Sequence, residues 1–299
     1  MSSQFELNWV IDKRDADRQV KDFLKDEEIS RTALTDIKFK GGRILVNQVE
    51  VNVRYKLQKD DVLSLIFPKE KPGEGVLGED LPLDIVFEDE YLLVVVKPAG
   101  MSTIPSREHP KGSLANALVG YYQRIGLEAT SHIVTRLDRD TSGIVLIAKY
   151  RHVHHLFSKD QLVGKVRRTY EAFAGGTLED DEGTIEKPIG RKEDSIIERE
   201  VRSDGQYACT HYKVLKRHKA FTHAELQLET GRTHQIRVHM SSIGHPLLGD
   251  DLYGGETTLL KRQALHCKKV TFIHPLLKKE MTFTAKLPDD MQELLQADR

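Results

Sequence analysis

A short charged segment that leads directly into an apolar one most constrains how this chain can fold. Residues 136–143, RLDRDTSG, are followed without interruption by the run GIVLIAK. A short apolar run that follows turn residues is typical of a buried strand, so the sequence predicts one over residues 143–148. The charged side chains, with Asp138 between two arginines, therefore lie at the start of a core strand.

Asp138 is suited to remain ionised in this setting. A neighbouring guanidinium favours the charged form of a carboxyl group, and a Thr-Ser-Gly turn offers backbone and hydroxyl donors that can fix its direction. A carboxylate held in this way can act as a nucleophile or as a base. The segment alone leaves a second interpretation open, because an Arg-x-Asp sequence beside a turn is most often a structural ion pair.

Composition indicates an ordinary globular protein. The chain has 299 residues, of which 39% are hydrophobic and 30% charged, with a net charge of −1. That length suits one large domain plus a small one. No apolar stretch reaches the ~18 residues that span a membrane, and the first residues lack the basic and apolar segments of a secretory signal. We therefore expect a cytoplasmic protein with no membrane partner.

The two cysteines, Cys209 and Cys267, are too few for a disulfide framework or a zinc cluster. Both lie in strand-like sequence, which predicts buried free thiols. The histidines at positions 152, 154 and 155 resemble a metal tract, but their helical spacing does not bring all three to one ion easily. We predict no metal site.

Glycine, proline and acidic residues interrupt the hydrophobic pattern at residues 70–82, EKPGEGVLGEDLP, which predicts a linker. A small domain over residues 1–69 and a large one over 83–299 are then expected. In the first, Val20, Phe23 and Leu24 have helical spacing, and Ser30 is a candidate N-cap for a second short helix. The stretches RILVNQVEV and DDVLSLIFP follow as predicted strands.

Beyond the linker, strand and helix patterns alternate irregularly. Apolar residues 92–96 and 143–148 predict buried strands, GSLANALVGYYQ and RHVHHLFSKDQLV predict helices, and the latter has Val163 on its apolar face. Alternation in THAELQLE and KKVTFIHP adds further strands. The expected class is α+β, with a large mixed, mostly antiparallel sheet in the second domain and a small α/β N-terminal domain.

A second block supports the functional interpretation of Asp138. Residues 228–255, LETGRTHQIRVHMSSIGHPLLGDDLYGG, follow the first block in the order found in RluA-type RNA pseudouridine synthases, whose other motif is HRLDxxTSG. The chain resembles this family over about residues 83–288 and is most similar to the RluD-like branch. It departs from the motif at Thr135, where the family has His.

The resemblance implies the residues of the site. Asp138 matches the catalytic aspartate, Arg232 the arginine that pairs with it, and Tyr170 in KVRRTYEAF the tyrosine of the third family element. Implied contacts to the RNA phosphates or backbone are Arg136, Arg168 and Arg237, of which Arg136 and Arg237 are alternatively part of the motif's own packing. No redox cofactor or metal is required for this reaction.

The N-terminal order of helix, helix and strand is similar to the alpha-L RNA-binding motif over roughly residues 15–68. Four basic residues between positions 29 and 48 are its candidate phosphate contacts: Arg31, Lys38, Lys40 and Arg43. A solvated face is the alternative for such a charged stretch.

The expected function is isomerisation of uridine to pseudouridine in structured RNA by a monomeric enzyme, with large-subunit ribosomal RNA favoured as substrate and transfer RNA next. A uracil in folded RNA is extruded before it reacts, which costs a few kcal/mol and calls for an aromatic slot such as Tyr170 could form. Two alternatives remain: a non-catalytic RNA-binding or ribosome-assembly factor on the same fold, and a glycosidase, which would normally need two catalytic carboxylates.

Overall fold

The computed structural model describes residues 4–70 and 76–297, which form a four-stranded sheet, a ten-stranded sheet and a two-stranded ribbon. Residues 71–75 of the predicted linker lie outside the described residues. The described remainder of the linker lies against the large sheet's first helix, because Asn116 donates to the carbonyl of Leu77 at 2.8 Å. The class is α+β, as the sequence predicts.

Two short helices and four strands make up the N-terminal part. In chain order these elements are β1 (Glu6–Val10), α1 (Val20–Asp26), α2 (Arg31–Phe39), β2 (Arg43–Val46), β3 (Val49–Glu50) and β4 (Val62–Ile66). Val20, Phe23 and Leu24 are buried on α1, and the Ser30 side chain caps α2 by accepting from the backbone N–H of Ala33 at 3.1 Å. Both helix predictions are confirmed.

The stretch predicted as one strand, RILVNQVEV, is instead a hairpin of β2 and β3. Asn47 and Gln48 both have positive φ, 51° and 67°, which is the backbone of the tight turn that joins two twisted strands. Asn47 Nδ2 also donates to Asp61 at 2.8 Å, so a tertiary contact stabilises the turn. Neither turn position carries the glycine that usually marks such a reversal, so the sequence pattern did not reveal it.

The large sheet is mostly antiparallel, and its strand order is β10-β13-β14-β9-β15-β8-β6-β5, with β16 beside β15 and β7 beside β8. Its strands are β5 (Asp84–Glu88), β6 (Leu92–Lys97), β7 (His132–Ile133), β8 (Ser142–Ala148), β9 (Arg167–Gly175), β10 (Glu182–Glu186), β13 (Cys209–Arg217), β14 (Phe221–Leu228), β15 (Leu265–Ile273) and β16 (Glu280–Thr284). The ribbon is β11 (Ile189–Arg191) with β12 (Arg199–Val201). The helices are α3 (Leu114–Arg124), α4 (Arg151–Leu162), α5 (Gln235–Ser242) and α6 (Asp289–Ala297).

The apolar run after the charged segment is the central strand β8, and all of its residues are buried. β8 pairs with β6 on one side and runs parallel to β15 on the other, with Gly143 opposite Cys267. Gly143 has φ +120°, and a Cβ there would lie 2.4 Å from the Cys267 carbonyl oxygen. Only glycine allows the two backbones to approach this closely. The glycine of the segment is thus what brings β15 beside the start of β8.

Aromatic side chains join the N-terminal part to the start of α4. Phe5 stacks on Tyr150 with ring centroids 4.4 Å apart, and Phe67 stacks on His152 at 5.3 Å. Glu70 accepts from the N–H of Arg151 at 2.8 Å. His152 therefore serves as a buried packing residue.

Helix α4 ends earlier than its apolar pattern predicts. Gly164 has φ +71°, which stops the helix, and Val163 is 66% exposed instead of lying on the buried face. Cys209 and Cys267 are both buried free thiols, as predicted. None of the helices in residues 4–70 and 76–297 is long and apolar enough to cross a membrane.

Candidate active site

Asp138 lies in the turn between β7 and β8. The turn is closed by the N–H of Thr141, which donates to the Asp138 carbonyl at 3.2 Å. Thr103 fixes the preceding residue, because its hydroxyl donates to the carbonyl of Leu137 at 2.5 Å. Thr135, which replaces the family histidine, is buried and its Oγ1 accepts from the N–H of Leu146 at 2.9 Å. The Thr103 and Thr141 contacts thus hold the backbone on both sides of Asp138.

Lys97, at the end of β6, is a buried cation behind this turn. Its Nζ donates to the carbonyls of Pro98 at 2.8 Å, Met101 at 2.7 Å and Arg139 at 3.0 Å. Burial lowers the pKa of Lys97 to about 8, although the charges of Asp140 and Asp138 oppose the shift. The sequence marks this residue only as the end of an apolar strand, so its role in supporting the turn was missed.

The two oxygens of the Asp138 carboxylate have different surroundings. Oδ2 accepts from Nη1 of Arg237 at 3.2 Å and lies 3.8 Å from Nε2 of His234. Within the described part of the chain, no residue donates a hydrogen bond to the other oxygen, Oδ1. The protein thus holds one oxygen and leaves the other free.

Arg237 is itself buried and anchored by a second carboxylate. Its Nε and Nη2 donate to the two oxygens of Asp250, both at 2.7 Å, and Asp250 has no exposed surface. The guanidinium also lies over the Tyr253 ring, 5.0 Å from its centroid. Burial opposes the charge, but the hydrogen bonds and the charges of Asp250 and Asp138 raise the pKa of Arg237 above its ordinary value. A permanently charged group therefore faces Asp138.

The ion pair expected for Arg232 belongs to Arg237. Arg232 is exposed, precedes α5, and donates from Nε to the carbonyl of Tyr207 at 2.9 Å. The left-handed turn at His234, with φ 56°, starts α5 after Arg232 and brings Arg237 towards β8 one helical turn later. Of the two roles expected for Arg237, its contacts favour packing within the motif over a phosphate contact, because carboxylates occupy both ends of its guanidinium.

Tyr170 lies on β9, which β15 separates from β8. The residue is 4% exposed and opposite Cys267 in the sheet register. Nη1 of Arg168 is 3.4 Å from the Tyr170 hydroxyl, because residues two apart on a strand share a face. Burial raises the pKa of Tyr170 above its usual value, which keeps the hydroxyl protonated at neutral pH.

An open cleft of about 1320 Å³ joins these residues. Asp138, Tyr170 and Arg237 line it together with the exposed or half-buried arginines Arg136, Arg168 and Arg232. The structure thus brings every predicted residue of the large domain to one site. The cleft is large enough for more than one nucleotide.

Three side chains near the cleft, Cys209, His211 and Glu229, are of the kind that can bind a metal ion. Their own contacts already account for them. His211 Nε2 is 2.7 Å from Glu229 and Nδ1 is 2.8 Å from the Thr184 hydroxyl. Burial raises the pKa of the Cys209 thiol, which disfavours the thiolate that a metal would need. The trio acts as a hydrogen-bonded support for β13.

The four candidate phosphate contacts of the N-terminal part are exposed on α2, directly after it and at the start of β2. Arg31 and Lys38 lie on one face of α2, since seven residues are about two helical turns. Lys40 pairs with Asp36 at 2.8 Å, so its charge is partly compensated. Arg43 begins β2.

Comparison with known proteins decides the family. The family model described as RNA pseudouridylate synthase matches residues 91–242. YjbO of Bacillus subtilis, which is named an RNA pseudouridine synthase, is 51% identical over 279 residues, covering 93% of this chain and 99% of that protein. The chain belongs to the RNA pseudouridine synthase family. It is an isomerase that converts uridine to pseudouridine in RNA.

Two further proteins are similar to this chain. Ribosomal large subunit pseudouridine synthase D of Pseudomonas aeruginosa is 39% identical over 277 residues, covering 87% of this chain and 86% of that one. A solved structure, human RNA pseudouridylate synthase domain containing 4, has a TM-score of 0.58 at 23% identity and covers 71% of this chain and 91% of its own. The second similarity shows the shared fold.

Proposed function

We propose that this pseudouridine synthase modifies uridines in large-subunit ribosomal RNA, with Asp138 as the residue that acts on the ribose. The observation that carries the assignment is the asymmetric environment of the Asp138 carboxylate. One oxygen is held by a buried arginine that Asp250 anchors, and the other faces an open, arginine-lined cleft. A carboxylate fixed in this way is positioned to attack or to remove a proton.

The reaction breaks the bond between uracil N1 and ribose C1′ and forms a bond between C5 and C1′. Asp138 attacks C1′ directly, or removes a proton from the adjacent ribose carbon to give a glycal. In both routes the uracil leaves as a delocalised anion, turns and rejoins through C5. Attack by C5 on C1′ breaks the Asp138–C1′ bond in the first route, and in the glycal route Asp138 returns its proton to the adjacent ribose carbon. N1 then gains a proton and C5 loses its own. Both routes need the same ionised aspartate at the sugar.

Tyr170 and Arg168 form the proposed uracil side of the cleft. The Tyr170 hydroxyl is protonated at neutral pH and burial raises its pKa further, so it can donate a hydrogen bond to the turning base or assist proton transfer at C5. Arg168 lies beside this hydroxyl and also contacts the open side of Gly231, where a Cβ would lie 2.7 Å from its Nη2. It is in position to hold an RNA phosphate next to the extruded base.

Binding of the RNA backbone is assigned to exposed arginines. Arg136 and Arg232 line the cleft and have side chains that reach solvent, so Arg232 becomes a phosphate contact in place of its expected catalytic role. Residues 1–69 form the proposed accessory RNA-binding domain, with residues 70–82 as its connection to the catalytic domain over residues 83–299. Its proposed phosphate contacts are Arg31, Lys38, Lys40 and Arg43.

The ribosomal substrate is supported by the names of relatives such as the large-subunit enzyme of Pseudomonas aeruginosa. Transfer RNA is the second substrate class to test. Because the relatives named for ribosomal RNA are bacterial, the proposed location is the cytoplasm. The proposed active form is a monomer, because all of the site residues come from one chain.

Mapping of pseudouridines in total RNA, with and without the gene, tests this function. Loss of one or more pseudouridines from large-subunit RNA is expected, with recovery on expression of wild type but not of Asp138→Asn. The substitution removes the charge and keeps the shape, so the purified variant should bind RNA with wild-type affinity and have no turnover. Substantial turnover by Asp138→Asn would refute the assignment of this residue, and loss of sites from transfer RNA alone would refute the ribosomal substrate.

A further inference from the structure

The imidazole of His234 lies beside the Asp138 carboxylate. Its Nε2 lies 3.8 Å from Oδ2, the same oxygen that accepts from Arg237 at 3.2 Å. We propose that His234 is a positioning residue, which holds Asp138 together with Arg237 so that Oδ1 is the oxygen presented to the ribose. This inference rests on the proposed role of Asp138.

The hydrogen bonds around Tyr253 determine which nitrogen of His234 carries the proton. The Tyr253 hydroxyl oxygen accepts from the N–H of Arg199 at 2.9 Å, and His234 Nδ1 is 2.8 Å from the same hydroxyl. The hydroxyl proton needs an acceptor, and among the described residues Nδ1 is the one in contact with it, because the Arg199 N–H is itself a donor; we therefore assign the hydroxyl as the donor to Nδ1. Nδ1 is then an acceptor, and in a neutral imidazole the proton resides on Nε2. A donor therefore faces Asp138.

The surroundings of the ring favour this neutral form. Burial, partly opposed by the charge of Asp138, lowers the pKa of His234 below its usual value. Arg237 and Arg199 also disfavour a second positive charge, whereas Asp250 favours it weakly. The imidazole therefore supplies a donor to Asp138 and does not neutralise its charge.

The backbone gives both donors a common rigid support. His234 has the left-handed conformation, φ 56° and ψ 20°, directly before the first residue of α5. Few residues other than glycine adopt this conformation, and such positions concentrate at functional sites. Arg237 follows in the first turn of the same helix. A shift of α5 would thus move both donors together.

The separation of 3.8 Å is longer than a hydrogen bond, so the proposed contact requires Nε2 to move closer to Oδ2. Bound RNA displaces water from the cleft, and contacts of this type often tighten only in the substrate complex. Closure of Nε2 onto Oδ2 would complete a pair of donors on one oxygen. The lone pairs of Oδ1 then remain for the sugar.

Two substitutions at position 234 separate this role from a structural one. In His234→Gln the amide nitrogen can take the place of Nε2, whereas in His234→Asn the shorter side chain reaches only the place of Nδ1. Asn tolerates the left-handed backbone well. A purely structural role therefore predicts that the Asn variant is at least as active as the Gln variant, and the positioning role predicts the reverse.

The measurement is the single-turnover rate of pseudouridine formation in a large-subunit RNA transcript, with RNA affinity and thermal unfolding recorded for each variant. His234→Asn should be slower than wild type by roughly 10- to 100-fold, the effect of one lost hydrogen bond to a charged group. His234→Gln should recover most of this rate, and RNA affinity should be unchanged in both. Equal rates of the two variants, or a faster Asn variant, would overturn the inference.

Tyr253→Phe provides a test that leaves His234 in place. The ring that packs under Arg237 is retained, but the donor to Nδ1 is lost, so the protonation of the imidazole is no longer fixed. The single-turnover rate should fall by a few-fold to ten-fold at unchanged affinity, and an unchanged rate would count against the proposal even if the His234 variants do not fold. An inactive wild type would refute the proposed function and this inference together, whereas an active wild type with the wrong order of variants refutes the inference alone.

Discussion

Replacement of Arg237 by lysine is the sharpest test of the site's electrostatics. The guanidinium makes three charged hydrogen bonds, two to Asp250 at 2.7 Å and one to Asp138 at 3.2 Å. A lysine ammonium is one point charge on a flexible stem and does not reproduce a planar fork that spans two carboxylates. One of the two acids then loses its partner.

The size of the effect follows from burial. Loss of one partner of a buried, hydrogen-bonded charge pair costs about 2–5 kcal/mol, and the retained charge of lysine reduces this figure. We expect the activation barrier to rise by about 2–4 kcal/mol, equivalent to a rate loss of roughly 30- to 900-fold. The free energy of unfolding should also fall, because Asp250 is fully buried.

The assay follows tritium released from C5 of uracil in labelled RNA under single-turnover conditions, since that hydrogen leaves when C5 bonds to C1′. Arg232→Lys is the matched control, because Arg232 is exposed and its Nε contacts only a backbone carbonyl in the described structure. Its rate should stay within about five-fold of wild type. An Arg237→Lys enzyme with near wild-type rate, or an Arg232→Lys enzyme that is the slower of the two, would show that the ion pair is assigned to the wrong arginine.

Two further predictions concern the N-terminal part of the chain and its contact with α4. Burial lowers the pKa of His152 to about 4, so the unfolded chain binds this proton from about pH 6.5 and the folded protein only near pH 4. The stabilisation from neutral His152 is complete above pH 6.5 and is lost as the pH falls towards 4. His152→Phe should reduce the pH dependence of the unfolding temperature between these two values. An unchanged pH dependence would show that His152 is not its cause. Arg31→Glu with Lys38→Glu should weaken RNA binding and lower the slope of log affinity against log salt by about two, whereas the exposed Lys13→Glu should not; equal slopes would identify the basic set as a solvated face.

Local sequence signals predicted those parts of the fold that local energetics decide. Ser30 caps α2 because a hydroxyl before an apolar helical pattern satisfies a free backbone N–H, and this depends on near neighbours alone. The strand at residues 143–148 followed from its unbroken apolar character. The hairpin at Asn47 and Gln48 was missed, since neither position carries the glycine that usually marks such a turn.

The choice between Arg232 and Arg237 lay beyond the sequence for a physical reason. Both arginines belong to one short motif, and only the left-handed turn at His234 separates an exposed position from a buried one. The side chain of His234 is also in contact with Tyr253, 19 residues further along the chain, and a contact of this kind cannot be read from the local sequence. Asp250 lies in the same block of residues 228–255, but its pairing with Arg237 becomes visible only when α5 is oriented.

Helix α4 connects the proposed RNA-binding domain to the reaction centre. Its start packs against Phe5 and Phe67 through Tyr150 and His152, and its last residues line the cleft that contains Asp138. Twelve residues of helix span about 18 Å. Because the aromatic contacts are buried, they hold the basic face of α2 at a fixed offset from the cleft. If α2 binds phosphates as proposed, an RNA would be selected by whether its fold presents phosphates and a target uridine at that spacing. Contacts that do not identify bases would in this way contribute to the choice of site.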